Sequence, residues 1–522
     1  MFGASLRSIT RVASKLGLET RRQLLPVMSS SSATFASSTS APKATRLEDS
    51  NINQSVVKAE YAVRGELVIR ADGYRSKIAA NPESHGLPFN KIIACNIGNP
   101  QELGQKPITF FRQVLALCQY PDLLKSPYVN EIFPADAIAR AKYYLSNISS
   151  TGSYTHSKGL SFIRKEVADF IERRDGFATD PENIFLTDGA SAGVKTILNI
   201  VVSSPNDGVM CPIPQYPLYS ATMTLLGGQL VPYYLNEEKA WSLDVAELEA
   251  SLAKARAAGT NVRAIVIINP GNPTGQCLTQ DNIREIIRFC IRENLVLLAD
   301  EVYQTNIYSE IPFTSFRKVV KELGAEGKEA QLVSFHSVSK GFLGECGQRG
   351  GYFHTTNLSE SVLAQLYKMA SVSLCSNVSG QLMVGLMCNP PKEGEPSYKQ
   401  YAEERDSILE SLRRRAVKLA NALNKLEGVS CQPVAGAMYA FPQITFPPKA
   451  LEEAKAQGKA ADVLYAIALL DATGICVVPG TGFRQVPGTY HYRTTILPPE
   501  EDMDRVIDLV SKFHAEYMAR FK

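Results

Sequence analysis

Ala264-Ile265-Val266-Ile267-Ile268-Asn269-Pro270-Gly271-Asn272-Pro273-Thr274-Gly275 is an apolar run closed by a turn of Asn, Pro and Gly. Such runs, too short for a helix and apolar at every position, read as strands buried on both faces of a parallel sheet. The texture recurs on either side. Ile184–Thr187 and Val209–Cys211 precede it, and Leu295–Ala299, Leu332–His336 and Gly351–His354 follow, most of them succeeded by a helix-like stretch. This alternation predicts an α/β unit with a largely parallel sheet and helices on both faces. Ligands bind at the carboxyl ends of such strands, so the residues just after each run are the candidates for chemistry.

Beyond residue 400 the texture changes. A long charged helix from Tyr401 to Leu426 is expected, then strand signals at Val429–Gln432 and Ala437–Ile444. A second helix over 461–472, strands at Ile475–Val478 and Tyr490–Leu497, and an amphipathic helix from Glu500 complete a smaller α+β domain. Residues 447–460, rich in Ala, Lys and Glu, read as a surface insertion. The expected organisation is a leader over 1–43, an N-terminal arm with part of the small domain over 44–150, a large domain over 151–390 and a C-terminal small domain over 391–522. A chain of 522 residues is long enough for two or three domains.

Bulk properties narrow the class. Hydrophobic content of 45% and charged content of 20% are ordinary for a folded globular chain, and no apolar run approaches the ~20 residues of a membrane span. The first 43 residues hold six Lys and Arg against one acid, Glu19, and are rich in Ser. Phe2, Leu6, Ile9, Val12 and Leu16 share one helical face while Arg7, Arg11 and Lys15 follow another, as in an organellar transit peptide, mitochondrial first and plastid second. The Ser-rich stretch 29–40 is equally that of a disordered terminus. Without this segment the chain carries 49 bases against 51 acids, with no basic stripe for a nucleic-acid partner. Ten scattered cysteines without a C-x-x-C pair read as reduced thiols, and six histidines without an H-x-x-x-H spacing give a metal site no support.

Five runs end in groups that suit one aromatic, anionic cofactor. After Ile184–Thr187, Asp188-Gly189-Ala190-Ser191-Ala192-Gly193 opens a helix whose first N–H groups could take a phosphate with the Ser191 hydroxyl; alone, it is equally a capped helix start. Pro212-Ile213-Pro214-Gln215-Tyr216-Pro217 holds Tyr216 on a stiff loop, for ring stacking or for core packing. The turn after Asn269 presents Asn272. Asp300-Glu301-Val302-Tyr303 puts an acid directly after a buried strand, as a helix cap or a functional carboxylate. A carboxylate against a pyridine nitrogen would keep it protonated, by roughly 4 kcal/mol at ~4 Å and an effective dielectric of ~20.

Ser337-Val338-Ser339-Lys340-Gly341-Phe342, followed by Arg349, ends the fifth run. A lysine desolvated there is a nucleophile toward an aldehyde, and Ser337 and Arg349 have the chemistry to hold a phosphate. Ser337 to Lys340 also fits S-x-x-K, but the S-D-N and K-T-G companions of that serine-enzyme pattern are absent, as is any G-x-G-x-x-G. In Tyr490–Leu497, Arg493 shares a face with His491 and Thr495, either to pair a substrate carboxylate or on the exposed face of an edge strand.

Together with Asn96-Ile97-Gly98-Asn99-Pro100, Gly152–Gly159, Leu186–Gly193, Pro214–Tyr219, Asn269–Gln276, Asp300–Tyr303 and Ser337–Gly351, the chain across 50–520 resembles the class I/II aminotransferases of fold type I, above all their alanine-converting members. The resemblance implies a mostly parallel seven-stranded sheet, a smaller α+β domain and pyridoxal 5′-phosphate as cofactor. It implies Lys340 as the Schiff-base carrier and proton shuttle, Asp300 on the pyridine nitrogen, Tyr303 and Asn272 on the ring hydroxyl, and Tyr216 on the ring face. Ala190, Ser191, Ser337 and Arg349 are implied at the phosphate, Arg493 with Asn272 at the substrate, and Tyr154 at a neighbouring subunit's phosphate in a homodimer with shared sites. The implied reaction is ping-pong transfer from L-alanine to 2-oxoglutarate, giving pyruvate and L-glutamate. Glutamate:glyoxylate transamination is the nearest alternative, followed by lyase chemistry and a regulatory, ligand-sensing role; residues 1–50 show no helix-turn-helix, and Ala519-Arg520-Phe521-Lys522 is no S-K-L-type signal. Lys340 and Arg349 stand nine positions apart, one more than in aspartate-specific relatives, so the place of Arg349 depends on how Gly344-Glu345-Cys346-Gly347 bends.

Overall fold

The six apolar runs between 184 and 354, with Gln229–Tyr234 besides, fold as the strands of one seven-stranded sheet: β1 Ile184–Thr187, β2 Asp207–Ile213, β3 Gln229–Tyr234, β4 Asn261–Ile268, β5 Val296–Asp300, β6 Leu332–Ser337 and β7 Gly351–Thr356. The structure is a computed structural model that describes residues 46–61 and 65–522; the transit-peptide reading of 1–43 lies outside the described residues. Spatial order is β1-β7-β6-β5-β4-β2-β3, and β7 alone runs antiparallel to its neighbours β1 and β6. The expected strand bounds hold to within a few residues. β3 was not expected; it carries Pro232 and pairs only with β2 at the sheet edge, where a missing N–H is tolerated.

The alternation of side chains explains the continuous apolar runs. In β4, Ala264, Val266 and Ile268 face one core, with Val194, Ile197, Leu198 and Val201 of helix Ala190–Val201. Ile265 and Ile267 face the opposite core, with Ile283, Ile286, Ile287 and Cys290 of helix Gln280–Glu293. Period two on the strand meets spacings of three and four on each helix, so both faces are covered.

The C-terminal elements form another core. Helix Tyr398–Leu423 buries Leu412, Ala416, Leu419 and Leu423 together with Met503, Val506, Val510 and Phe513 of helix Glu500–Arg520. Beside them Tyr439–Ala440, Tyr492–Thr495 and Val478–Pro479 make a small antiparallel sheet with Tyr492–Thr495 in the middle. Residues 447–460 lie at the surface, as expected, but are anchored there. Helix Pro448–Ala456 turns Ala450 and Ala454 into this core, and two alanines four apart let it approach closely.

The stretch before the main sheet divides. Ile93–Ala94 pairs in parallel with Ile475–Cys476, and helix Glu66–Ala80 buries Leu67 and Ala71 in the C-terminal core. Helices Thr109–Gln119 and Ala135–Ser146 pack instead with Ser161–Asp175 and Val378–Cys388. The Ile93–Ala94 pairing carries the next residues, Asn96 to Asn99, across the carboxyl ends of the main sheet.

Candidate active site

A cavity of about 430 Å³ lies at those carboxyl ends. Ala190 and Ser191 follow β1 into it, Tyr216 follows β2 and Asn272 follows β4. Asp300 and Tyr303 enter from β5, and Ser337, Lys340 and Arg349 from β6 and its loop. Gly98, Tyr439 and Arg493 close it from outside the main sheet. Every site residue expected from the sequence is thus gathered here except Tyr154, which is 80% exposed on the surface.

One end of the cavity is built for an anion. Gly189, at φ 79°, is the N-cap of helix Ala190–Val201, whose first residues, Ala190 and Ser191, line the space, as in an anion site at a helix N-terminus. The loop after Lys340 turns at Gly341 and Gly344, both in the left-handed region, then through a 3₁₀ turn at Cys346–Gln348, and Arg349 itself has φ 50°. The nine-position spacing is absorbed by this bend, which returns Arg349 to the helix end. Its Nη1 donates to the Cys346 carbonyl at 2.9 Å and its Nη2 to the Asp188 carbonyl at 3.0 Å. A Cβ at position 189 would lie 2.6 Å from Nη2, so only glycine leaves the guanidinium its place. Ser337 Oγ accepts from the Ser339 amide at 3.1 Å and donates to the Gly350 carbonyl at 3.2 Å.

The other polar pole is Asp300, buried at the end of β5. Tyr219 donates its hydroxyl to Oδ2 at 2.7 Å. Burial pushes the Asp300 carboxyl up, against the Tyr219 hydrogen bond, the Val302 amide and the charge of Lys340. Burial, then the Asp300 charge, hold the Tyr219 phenol well above its usual range, so it stays the donor. A cation facing Asp300 would relieve it, as a ring N–H⁺ does.

Between the poles, Lys340 Nζ donates to the Gly98 carbonyl at 3.1 Å and lies 5.7 Å from the centre of the Tyr303 ring. Arg493 is 1% exposed. It sits in the central strand of the small sheet, so the exposed edge-strand alternative falls. Its guanidinium lies between the rings of Tyr439, at 4.1 Å, and Phe483, at 4.6 Å. Nη1 donates to Asn272 Oδ1 at 3.0 Å and Nη2 to the Asn96 carbonyl, while Nε has no partner. No carboxylate pairs with it among the described residues.

No role was read from the sequence for Tyr219, Tyr439, Gly98 or Tyr61. Tyr61 hydrogen-bonds the Tyr216 hydroxyl at 3.0 Å across 155 positions, which no local pattern reveals. Tyr219 had a usable signal, since it stands one turn after Tyr216 at the start of helix Pro217–Leu226. The cavity falls within the ~300–1,000 Å³ of small-molecule sites and offers an acid, an anion cradle and a lysine at separate points. These fit a cofactor with a basic aromatic ring, a phosphate and an aldehyde.

Comparison with known proteins agrees. The chain is 55% identical over 477 residues to a probable mitochondrial alanine aminotransferase of Dictyostelium discoideum, covering 90% of this chain and 89% of that one. It is 56% identical over 478 residues to glutamate–glyoxylate aminotransferase 1 of Arabidopsis thaliana, covering 91% and 97%. Its fold is similar to the crystal structure of an aminotransferase from Escherichia coli, with a TM-score of 0.71 at 22% identity over 91% of this chain and all of that one. Residues 126–510 match the family described as aminotransferase class I and II. The chain belongs to that family, and is a transaminase whose cofactor is pyridoxal 5′-phosphate.

Proposed function

We propose that this enzyme transfers the amino group of L-alanine to 2-oxoglutarate, giving pyruvate and L-glutamate by a ping-pong cycle. The observation that carries the reading is Arg493, a buried arginine with a free Nε and, among the described residues, no carboxylate partner, in one cavity with Lys340. Leaving such a charge unpaired costs several kcal/mol, on the order of 3–5, so the site calls for a carboxylate that arrives with the substrate.

Bound pyridoxal phosphate supplies an aldehyde for the substrate amine and a ring that draws electrons from Cα. In this reading Asp300 keeps the ring nitrogen protonated, and Tyr219 keeps Asp300 ionised. Asn272, whose Oδ1 is held by Arg493, donates its amide nitrogen to the ring hydroxyl alongside Tyr303, and Tyr216 covers the ring face. Ala190, Ser191, Ser337 and Arg349 hold the phosphate. Arg493 orients the α-carboxylate, and Lys340, released by the substrate amine, carries the Cα proton at Nζ. The second half-reaction runs the same steps in reverse on 2-oxoglutarate.

The proposal extends to a homodimer in which exposed Tyr154 reaches the partner's phosphate, and to a large domain around the main sheet with a smaller one around the C-terminal core. Mitochondrial location is proposed from the composition of residues 1–43, and the Dictyostelium relative is named as mitochondrial. Glutamate:glyoxylate transamination is the second reading, favoured by the likeness to the Arabidopsis enzyme over 97% of its length.

Half-reaction spectroscopy with alanine, glutamate, aspartate and glycine tests substrate choice. Fast conversion of the visible band with alanine and glutamate is expected, and inert alanine beside rapid aspartate overturns the assignment. Borohydride should fix cofactor to the wild type and not to Lys340→Ala. Offering glyoxylate and 2-oxoglutarate to the aminated enzyme ranks the two readings.

A further inference from the structure

Tyr439 is 2% exposed and is held by three neighbours. Its ring lies against Arg493, and its hydroxyl accepts a hydrogen bond from Tyr303 at 3.2 Å, with the two rings edge to face at 6.0 Å and 82°. The third neighbour is an absence of side chain at Gly98. A Cβ there would run into the Tyr439 hydroxyl and would stand 3.3 Å from Lys340 Nζ. Glycine therefore leaves one slot that the phenol oxygen and the lysine amine share.

Packing does not ask for the hydroxyl. Phenylalanine would present the same ring to Arg493, and burying a hydroxyl costs free energy unless its hydrogen bonds are made. Here one lone pair of the oxygen is taken by Tyr303 and the other is open to a donor from the slot; with cofactor bound, the single Tyr303 hydrogen turns to the ring hydroxyl and leaves both lone pairs of Tyr439 to that donor. Both atoms lie at the vacant Cβ position of Gly98, and there the charges of Lys340 and Arg493 and the Tyr303 hydrogen bond bring the phenol below its usual range against the opposing effect of burial.

We propose that Tyr439 is a positioning residue for proton transfer: its phenol oxygen accepts a hydrogen bond from Lys340 Nζ and keeps that nitrogen on the Cα side of the substrate. The inference rests on the proposed roles of Lys340 and Arg493. In the step concerned the Cα–H bond breaks, its proton forms an N–H bond at Nζ, and the electron pair of the broken bond stays at Cα, where the ring that the cofactor would supply draws on it. The ammonium so formed gains an acceptor at Tyr439 and keeps the other at the Gly98 carbonyl. Because the ring of the same tyrosine backs Arg493, the proton carrier and the carboxylate clamp are set by one side chain.

The test uses holoenzyme variants Tyr439→Phe and Gly98→Ala, the second forcing the hydroxyl out of the slot. Both should lower the single-turnover rate with alanine about 10- to 100-fold, as expected for a misplaced reacting group, and increase the isotope effect of Cα-deuterated alanine. In Tyr439→Phe the KM should stay within about twofold, since the ring still covers Arg493. In the apoenzyme, phenolate absorbance should show one tyrosine titrating below the others, lost in Tyr439→Phe and moved up in Lys340→Met. A wild-type rate and isotope effect in Tyr439→Phe, a rise in KM that accounts for the whole loss, or a titration indifferent to Lys340→Met would each overturn the proposal. Wild-type turnover of alanine tests the functional reading separately, so the two can fail independently.

Discussion

Tyr219 donates its hydroxyl to Asp300 Oδ2 at 2.7 Å, and both groups are buried, Asp300 in the cavity lining and Tyr219 outside it. Because burial pushes the Asp300 carboxyl up, this hydrogen bond is what favours its ionised form most. Tyr219→Phe should let Asp300 draw the proton from the cofactor ring. A hydrogen bond to a charged group contributes ~1.5–3 kcal/mol, so the alanine half-reaction should slow about 10- to 100-fold. Stopped-flow absorbance measures it, and an unchanged rate would remove Asp300 from the ring nitrogen.

Arg493 has no carboxylate partner among the described residues, and its planar fork is what a carboxylate matches bidentately. Arg493→Lys should raise KM for alanine and for 2-oxoglutarate by a common factor of about 10–100, since both present the same α-carboxylate. Steady-state kinetics with both substrates checks this. A rise confined to 2-oxoglutarate would place Arg493 at the distal carboxylate instead.

Gly189 combines φ 79° with ψ 165° and a guanidinium 2.6 Å from any added Cβ. That backbone region costs other residues ~1–3 kcal/mol. Gly189→Ala should displace Arg349 and weaken cofactor affinity about 10-fold or more, measured by reconstituting the apoenzyme, with little effect on the ratio of alanine to glutamate turnover.

Glu301, next to Asp300, is buried against Arg174 at 3.9 Å and accepts from the Phe316 amide at 2.8 Å. Burial raises it from 4.5 to about 7. A group raised on folding stabilises fully below its unfolded value and loses that contribution as pH rises through the folded one. Glu301→Gln keeps the acceptor and removes the titration. Its Tm relative to wild type should therefore climb between pH 4.5 and 7 and level off above. His336 and His354, lowered by burial to about 3, add a wild-type loss of stability below pH 6.5 with the opposite sign, but they cancel in this difference. A flat difference across the window would show that Glu301 is ionised throughout.

Much of the fold was legible because β4 and β5 are covered on both faces, which leaves continuous apolar runs that no helix face or loop shares. β3 was missed because an edge strand needs neither full burial nor every N–H, and so accepts Pro232. The reversed direction of β7 left no mark in its residues either, since an apolar run is the same read in either sense. The helix at Pro448–Ala456 hid its inward face because alanine is unremarkable on a surface and becomes informative only when a neighbour packs on it.

The chemistry divides in the same way. The types of group at the strand ends, a lysine, an acid, a small-residue helix start and an arginine, were set by the sequence alone, because each follows directly from a strand that the apolar pattern reveals. Which of them share one cavity was decided only in three dimensions. Lys340 meets Gly98 across 242 positions and Arg493 meets Asn272 across 221, distances over which local periodicity carries no information. The unpaired state of Arg493, the ion-pole at Asp300 and the slot that Tyr439 shares with Lys340 are properties of surroundings. They arise because burial removes water from groups that would otherwise be solvated, and only the folded chain determines which groups those are.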